Sequence, residues 1–156
     1  MSRAFQEPIK ILSAAAATGP GVTIDVRAFK TIVLEFHTTG SANFTAKIQG
    51  SEGVPGVSFE TQQPAGTSAQ AASSMVLHPP TWGSAASPTN PWTYIQSISL
   101  ADQTTFNGAT GIAATGTDIN LQVEVNTNGL SFLTVNVTAY SAGAITCLCT
   151  PYNVDE

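Results

Sequence analysis

Two cysteines one residue apart, Cys147 and Cys149, are the residues whose type and spacing most directly suggest chemistry. Such a pair can clip a metal, cycle between thiol and disulfide, or fill a core. A metal site needs two or more further ligands of matching type, and the chain offers only two histidines, His37 and His78. Same-face neighbours on a strand have Cα atoms ~6.6 Å apart with poorly converging Cβ vectors, at the far edge of disulfide reach. A buried free cysteine behaves as a small hydrophobe, and that is the reading the spacing favours. The ten acids are scattered, and Glu35 and Glu124 fall on the polar sides of alternating segments. Nothing sets two carboxylates across a cleft, as glycoside hydrolysis requires. Serines are plentiful, but no G-x-S-x-G elbow accompanies them. "GATGIAATG" lacks the lysine and the following helix of a phosphate-cradling loop. No catalytic, cofactor-binding or metal-ligating residue is expected, and the chain is not expected to be an enzyme.

Aromatic rings are the remaining candidates. Trp92 and Tyr94 alternate with Thr93, with Gln96 next in phase, a stacking-plus-amide arrangement suited to sugar. Trp82 lies in the segment before them. Aromatic residues also dominate buried cores and subunit interfaces, so Trp82, Trp92 and Tyr94 are candidate carbohydrate or partner contacts.

The elements that must position these residues are strands. Period-two alternation recurs, whereas helical periodicity is nearly absent. "TIVLEFH" sets Ile32, Leu34 and Phe36 against Val33, Glu35 and His37, and "NFTAKIQ" sets Phe44, Ala46 and Ile48 against Asn43, Thr45 and Lys47. "DINLQVEVN" places Ile119, Leu121, Val123 and Val125 inward, and "LTVNVTA" does the same for Leu133, Val135, Val137 and Ala139. "TYIQSISLA" has an ambiguous inward face. With "PIKILSA" and "VTIDV" near the start, about eight strands are expected. Their spacing predicts a single all-β domain over 1–156, an antiparallel β-sandwich of jelly-roll or Ig-like type. Residues 1–7 form an N-terminal arm. Residues 62–91, rich in Pro, Ala and Ser, form a long irregular insertion, and Gln103–Asp118 reads as a second loop.

Register follows from keeping apolar faces together. A three-residue loop at Asn128-Gly129-Leu130, or a five-residue loop, with Gly129 at positive φ, pairs Val125 with Leu133 and Val123 with Val135. A second hairpin turning at Ser141-Ala142-Gly143 pairs Val137 with Cys147 and Val135 with Cys149, so both thiols point into the core.

Charge narrows the partners. Charged residues are 10% of the chain, net charge is −5, and the five cations form no run. Nucleic-acid binding needs a cationic footprint, and none is present. No apolar stretch approaches the ~20 residues that cross a bilayer. "MSRAFQEPIK" has no apolar core behind its arginine, so it does not read as a secretory signal. An uncharged polar surface is weakly self-repelling and easily covered by a neighbouring subunit.

Two stretches carry a family likeness. "VTIDVRAFKTIVLEFHTTGSANFTAKIQGSEGVPGVSFE" (Val22–Glu60) resembles a strand–turn layout of accessory virion structural proteins of tailed bacteriophages, with its Gly-Ser turn and its "GS-x-G" turn ending at an aromatic. "LTVNVTAYSAGAITCLC" resembles those proteins' closing "V-x-AYSSG-x-I" pattern. The likeness covers a little over a third of the chain, in one stretch of each half. It implies a β-sandwich located in the virion as capsid decoration (cement), or alternatively as a neck or tail adaptor or fibre-base protein. Implied partners are the major capsid protein or other virion proteins and further copies of the chain, a trimer being one option. No catalytic residues and no cofactor are implied.

Overall fold

A computed structural model describes residues 7–52, 54–55, 77–78 and 92–152, with the backbone alone for 54, 55, 77, 78 and 152. The strands are β1 (Ile9–Ala15), β2 (Gly19–Pro20), β3 (Ile24–Asp25), β4 (Thr31–Ser51), β5 (Val54–Pro55), β6 (Leu77–His78), β7 (Thr93–Tyr94), β8 (Ser97–Ser99), β9 (Thr105–Phe106), β10 (Ile112–Thr117), β11 (Asn120–Asn126) and β12 (Phe132–Tyr152). Among the described residues there is no helix. Ten strands join one antiparallel sheet: six follow the path β1-β12-β4-β11-β8-β9, β7 and β10 pair with β4, and β2 and β3 pair with β12, while β5 and β6 pair separately. The expected all-β, antiparallel class holds. Because the hydrogen bonding is continuous through one sheet, neither a jelly-roll nor an Ig-like type is assigned. Residues 1–6 of the arm and nearly all of the 62–91 insertion lie outside the described residues.

Two strands of 21 residues organise the sheet. β4 and β12 pair along their whole length, from Phe132 opposite Ser51 to Tyr152 opposite Thr31. On the other side of β4, β11 and β10 follow one another: Asn126 to Asn120 lie opposite Thr31 to His37, and Thr117 to Ile112 opposite Ser41 to Ala46. Straight, β4 would be ~66 Å long at 3.3 Å per residue. Instead it doubles back. Phe36 and Phe44, ~26 Å apart along a straight strand, stack with ring centroids 6.4 Å apart. The segment from Thr127 to Ser131 spans the two ends of β4, Thr127 N–H bonding the Lys30 carbonyl and Ser131 N–H the Ser51 carbonyl, each at 2.9 Å.

Backbone geometry explains the crease. Four residues in a band across four neighbouring strands have left-handed φ: Ala14 (48°) in β1, Gly143 (91°) in β12, Gly40 (68°) in β4, and Asp118 (50°) between β10 and β11. β-Bulges with such residues bend a strand and sharpen its twist. Here two residues, Asp118 and Ile119, face three, Thr38, Thr39 and Gly40. Register also shifts three times between Val137 and Ala144. Local bonds take over from the interrupted ladder. Asp118 Oδ1 accepts the Gly40 N–H at 2.8 Å, Thr146 Oγ1 accepts the Ala14 N–H at 3.2 Å, and Tyr140 donates its hydroxyl to the Gly143 carbonyl at 2.6 Å.

The same side of the sheet lines the core in both arms of the fold. Ile32, Leu34 and Phe36 from one half of β4 are 0% exposed, and Phe44, Ala46 and Ile48 from the other half are 2% or less. Leu133, Val135 and Val137 join Ile145, Cys147 and Cys149 from β12 in the same cluster.

Two expected hairpins are corrected. Ser141–Gly143 is a bend within β12, so Val135 and Val137 lie opposite Ile48 and Ala46, and Cys147 and Cys149 opposite Phe36 and Leu34. β11 and β12 are not neighbours, because β4 lies between them; Val125 faces Ile32 and Val123 faces Leu34. Gly129 does have positive φ, 85°, in a turn that crosses from one end of β4 to the other. Gln103–Asp118 also departs from the expected loop, since it contains β9 and β10.

Candidate functional site

The cysteines come first. Cys147 and Cys149 are both 0% exposed and form no disulfide. Burial pushes both thiols up, Cys149 to about 12, with the neighbouring Cys149 adding to the shift at Cys147. The thiolate is the nucleophile and metal ligand, and at neutral pH this environment keeps both sulfurs protonated. Among the described residues, no group of three or more His, Cys, Asp or Glu is placed to hold a metal. His37 lies on the outer face of β4, its Nε2 2.9 Å from Glu35 Oε1. His78 lies in β6, where only the backbone is described. Glu124 sits on the same outer face, opposite Val33.

The aromatic candidates separate. Trp92 is 9% exposed, whereas Tyr94 is 45% exposed. The Lys47 ammonium sits over the Tyr94 ring, 4.8 Å from its centroid, a cation–π contact that occupies one ring face. Trp82 lies outside the described residues. Tyr94 therefore presents its ring without Trp92 beside it as an open platform.

The outer surface of the sheet carries what remains. β8 resolves the ambiguous "TYIQSISLA": Ser97 and Ser99 are buried, and Ile98 and Leu100 face solvent at 36% and 39% exposure. Leu100 and Ala101 meet Asn120, Leu121 and Gln122 around a shallow depression of about 320 Å³. It holds no ionisable side chain, so it offers shape without acid–base chemistry. Asp102 beside it is a turn residue. Hydrogen bonds from the Ser99 side chain and the Thr104 backbone hold its carboxyl below the usual range. Asp25 and Arg27 pair at the start of the Val26–Phe29 turn. That guanidinium, through its side-chain hydrogen bond first, lowers the Asp25 pKa. Both groups are about half exposed, so the pair contributes little to stability.

Sequence patterning missed β10. "IAATGT" alternates Ile, Ala and Gly with Ala and Thr, too small a contrast to register as a strand. The useful signal was its continuity with "DINLQVEVN" through Asp118, a residue type that tolerates left-handed φ.

What these features define is an all-β protein built on one large antiparallel sheet, with few charged residues on its described surface. Comparison with solved structures finds one such fold over nearly the whole chain. The SPBc2 prophage-derived protein YomS, known from a crystal structure, matches 94% of this chain and 92% of its own, with a TM-score of 0.55 at 12% identity. At that identity the likeness is one of fold. No protein-family profile and no curated protein matches the sequence.

Proposed function

We propose that this chain is a non-enzymatic structural component of a tailed-phage virion, acting as a decoration protein that binds and stabilises the capsid surface. The observation that carries the reading is the end-to-end fold match to a prophage-derived protein. It coincides with the two sequence stretches that resemble accessory virion proteins. The chemistry is compatible. The thiols are buried and protonated, and charged residues are sparse, which lowers the desolvation cost of covering a large surface. The major capsid protein and further copies of the chain are the partners this role requires.

The test is binding to particles. Purified protein is added to virions from which the native copy is absent, and the particles are sedimented. Saturable co-sedimentation and a higher temperature of genome release are expected. Protein left in the supernatant at every ratio, with particle stability unchanged, would refute the decoration role.

A further inference from the structure

The sheet guards its edges unevenly. An unpaired strand edge presents a row of N–H and C=O groups to any extended chain, and natural proteins blunt it with short length, proline, charge or bulges. β1 is an edge with Lys10 and two register breaks against β12. β2 contains Pro20 and, like β3, β7 and β9, is two residues long. β10 is the exception among the described edges. It is six residues long, pairs among the described residues with β4 alone, and does so without a register shift. It contains no charge and no proline, and Ala113, Thr115 and Thr117 are exposed.

We propose that β10 is a homotypic interface, pairing antiparallel with β10 of a second copy about a two-fold axis through Thr115. This register sets Thr115 opposite Thr115 of the second copy, Ala113 opposite Thr117, and Ala114 opposite Gly116. All these side chains are small, so two backbones approach without clash, and Thr–Thr is a favourable cross-strand pair. Charge selects the orientation. Lys47 lies at one end of the edge, packed over Gly111, and Asp118 lies at the other, held by the Gly40 N–H. Antiparallel pairing brings Asp118 of each copy opposite Ile112 of the other, within two strand spacings, ~10 Å, of that copy's Lys47. Parallel pairing would set Lys47 beside Lys47 and Asp118 beside Asp118. The two sheets become one across the interface, whether or not the protein is a virion component.

Charge placed on the axis tests this. Thr115→Lys puts two ammonium groups face to face, and Thr115→Glu puts two carboxylates there. By sedimentation velocity on the full chain, the wild type is expected to dimerise with rising concentration. Each variant alone should associate at least about tenfold more weakly, through like-charge juxtaposition. An equimolar mixture of the two should recover the dimer. Ala113→Lys is a second probe should Thr115→Lys lower the melting temperature by itself. A wild type still monomeric at high concentration, variants that associate as the wild type does, or a mixture that fails to recover would each overturn the proposal.

Discussion

Gly143→Ala is the perturbation that most sharply tests how the sheet folds over. The residue has φ of 91°, and a Cβ there would lie 2.6 Å from the Ala42 Cβ, 2.8 Å from the Ala42 Cα and 3.1 Å from the Ser41 carbonyl oxygen. Gly40, on the neighbouring strand at the same crease, has φ of 68°, and a Cβ there would meet nothing within 4 Å. Left-handed backbone costs a non-glycine residue roughly 1–2 kcal/mol, and both substitutions incur that. Only Gly143→Ala adds steric overlap, and its obstacles are backbone and a Cβ rather than the tip of a flexible side chain. Overpacking of this kind adds about 1–3 kcal/mol. Gly40→Ala should therefore cost about 1–2 kcal/mol and Gly143→Ala about 2–5 kcal/mol, a large share of the ~5–15 kcal/mol typical of a domain. Urea denaturation with a shared m-value measures both. Equal losses for the two variants, or a smaller loss for Gly143→Ala, would refute the tight crossing of β12 over β4 at the crease.

Other consequences follow from named contacts. Tyr140→Phe removes the hydroxyl bond to the Gly143 carbonyl and should lower stability by about 1 kcal/mol in the same denaturation assay. Alkaline titration reports on the thiols: the folded pKa of Cys149 is raised from 9.0 to about 12, so its stabilising effect is complete below pH 9 and lost as pH rises toward 12. At pH 10 that loss is about 1.4 kcal/mol, and the difference in stability between wild type and Cys149→Ala should shrink accordingly between pH 8 and pH 10; a pH-independent difference would place the thiol in water. Trp92→Ala should cost about 3–5 kcal/mol as a buried large-to-small change, whereas Tyr94→Ala should stay within about 1 kcal/mol; thermal melts of the two variants make the comparison.

Alternation makes the inward faces legible in the sequence. Ile32, Leu34, Phe36, Val123, Val125, Leu133, Val135 and Val137 all lie inside as patterned, because a strand's faces are fixed by parity alone. Pairing was not legible, for the same reason. Parity is unchanged across the crease, with Phe36 and Phe44 both inward and Val137 and Ile145 both inward. A bent strand and a hairpin therefore leave the same apolar pattern. Ser141-Ala142-Gly143 has turn composition because a sharp bend needs left-handed backbone just as a hairpin does. Thr134 shows a different limit. Patterned outward, it is 0% exposed, with its hydroxyl donating to the Gly21 carbonyl at 3.2 Å in the segment that joins β2 to β3 beside β12. The cysteines were placed in the core by a pairing that does not occur. Their burial survives because it depends on parity, which was right, and not on partner, which was not. The position of β10 at an edge among the described strands was not legible, because edge position is a property of the assembled sheet.

Quantitative mass spectrometry of gradient-purified virions, counting this chain against the major capsid protein, probes the proposed role most directly. A decoration protein should appear at hundreds of copies per particle, and a dozen or fewer would move it to the neck or tail. Complete absence from infectious, purified particles would contradict a structural place in the virion.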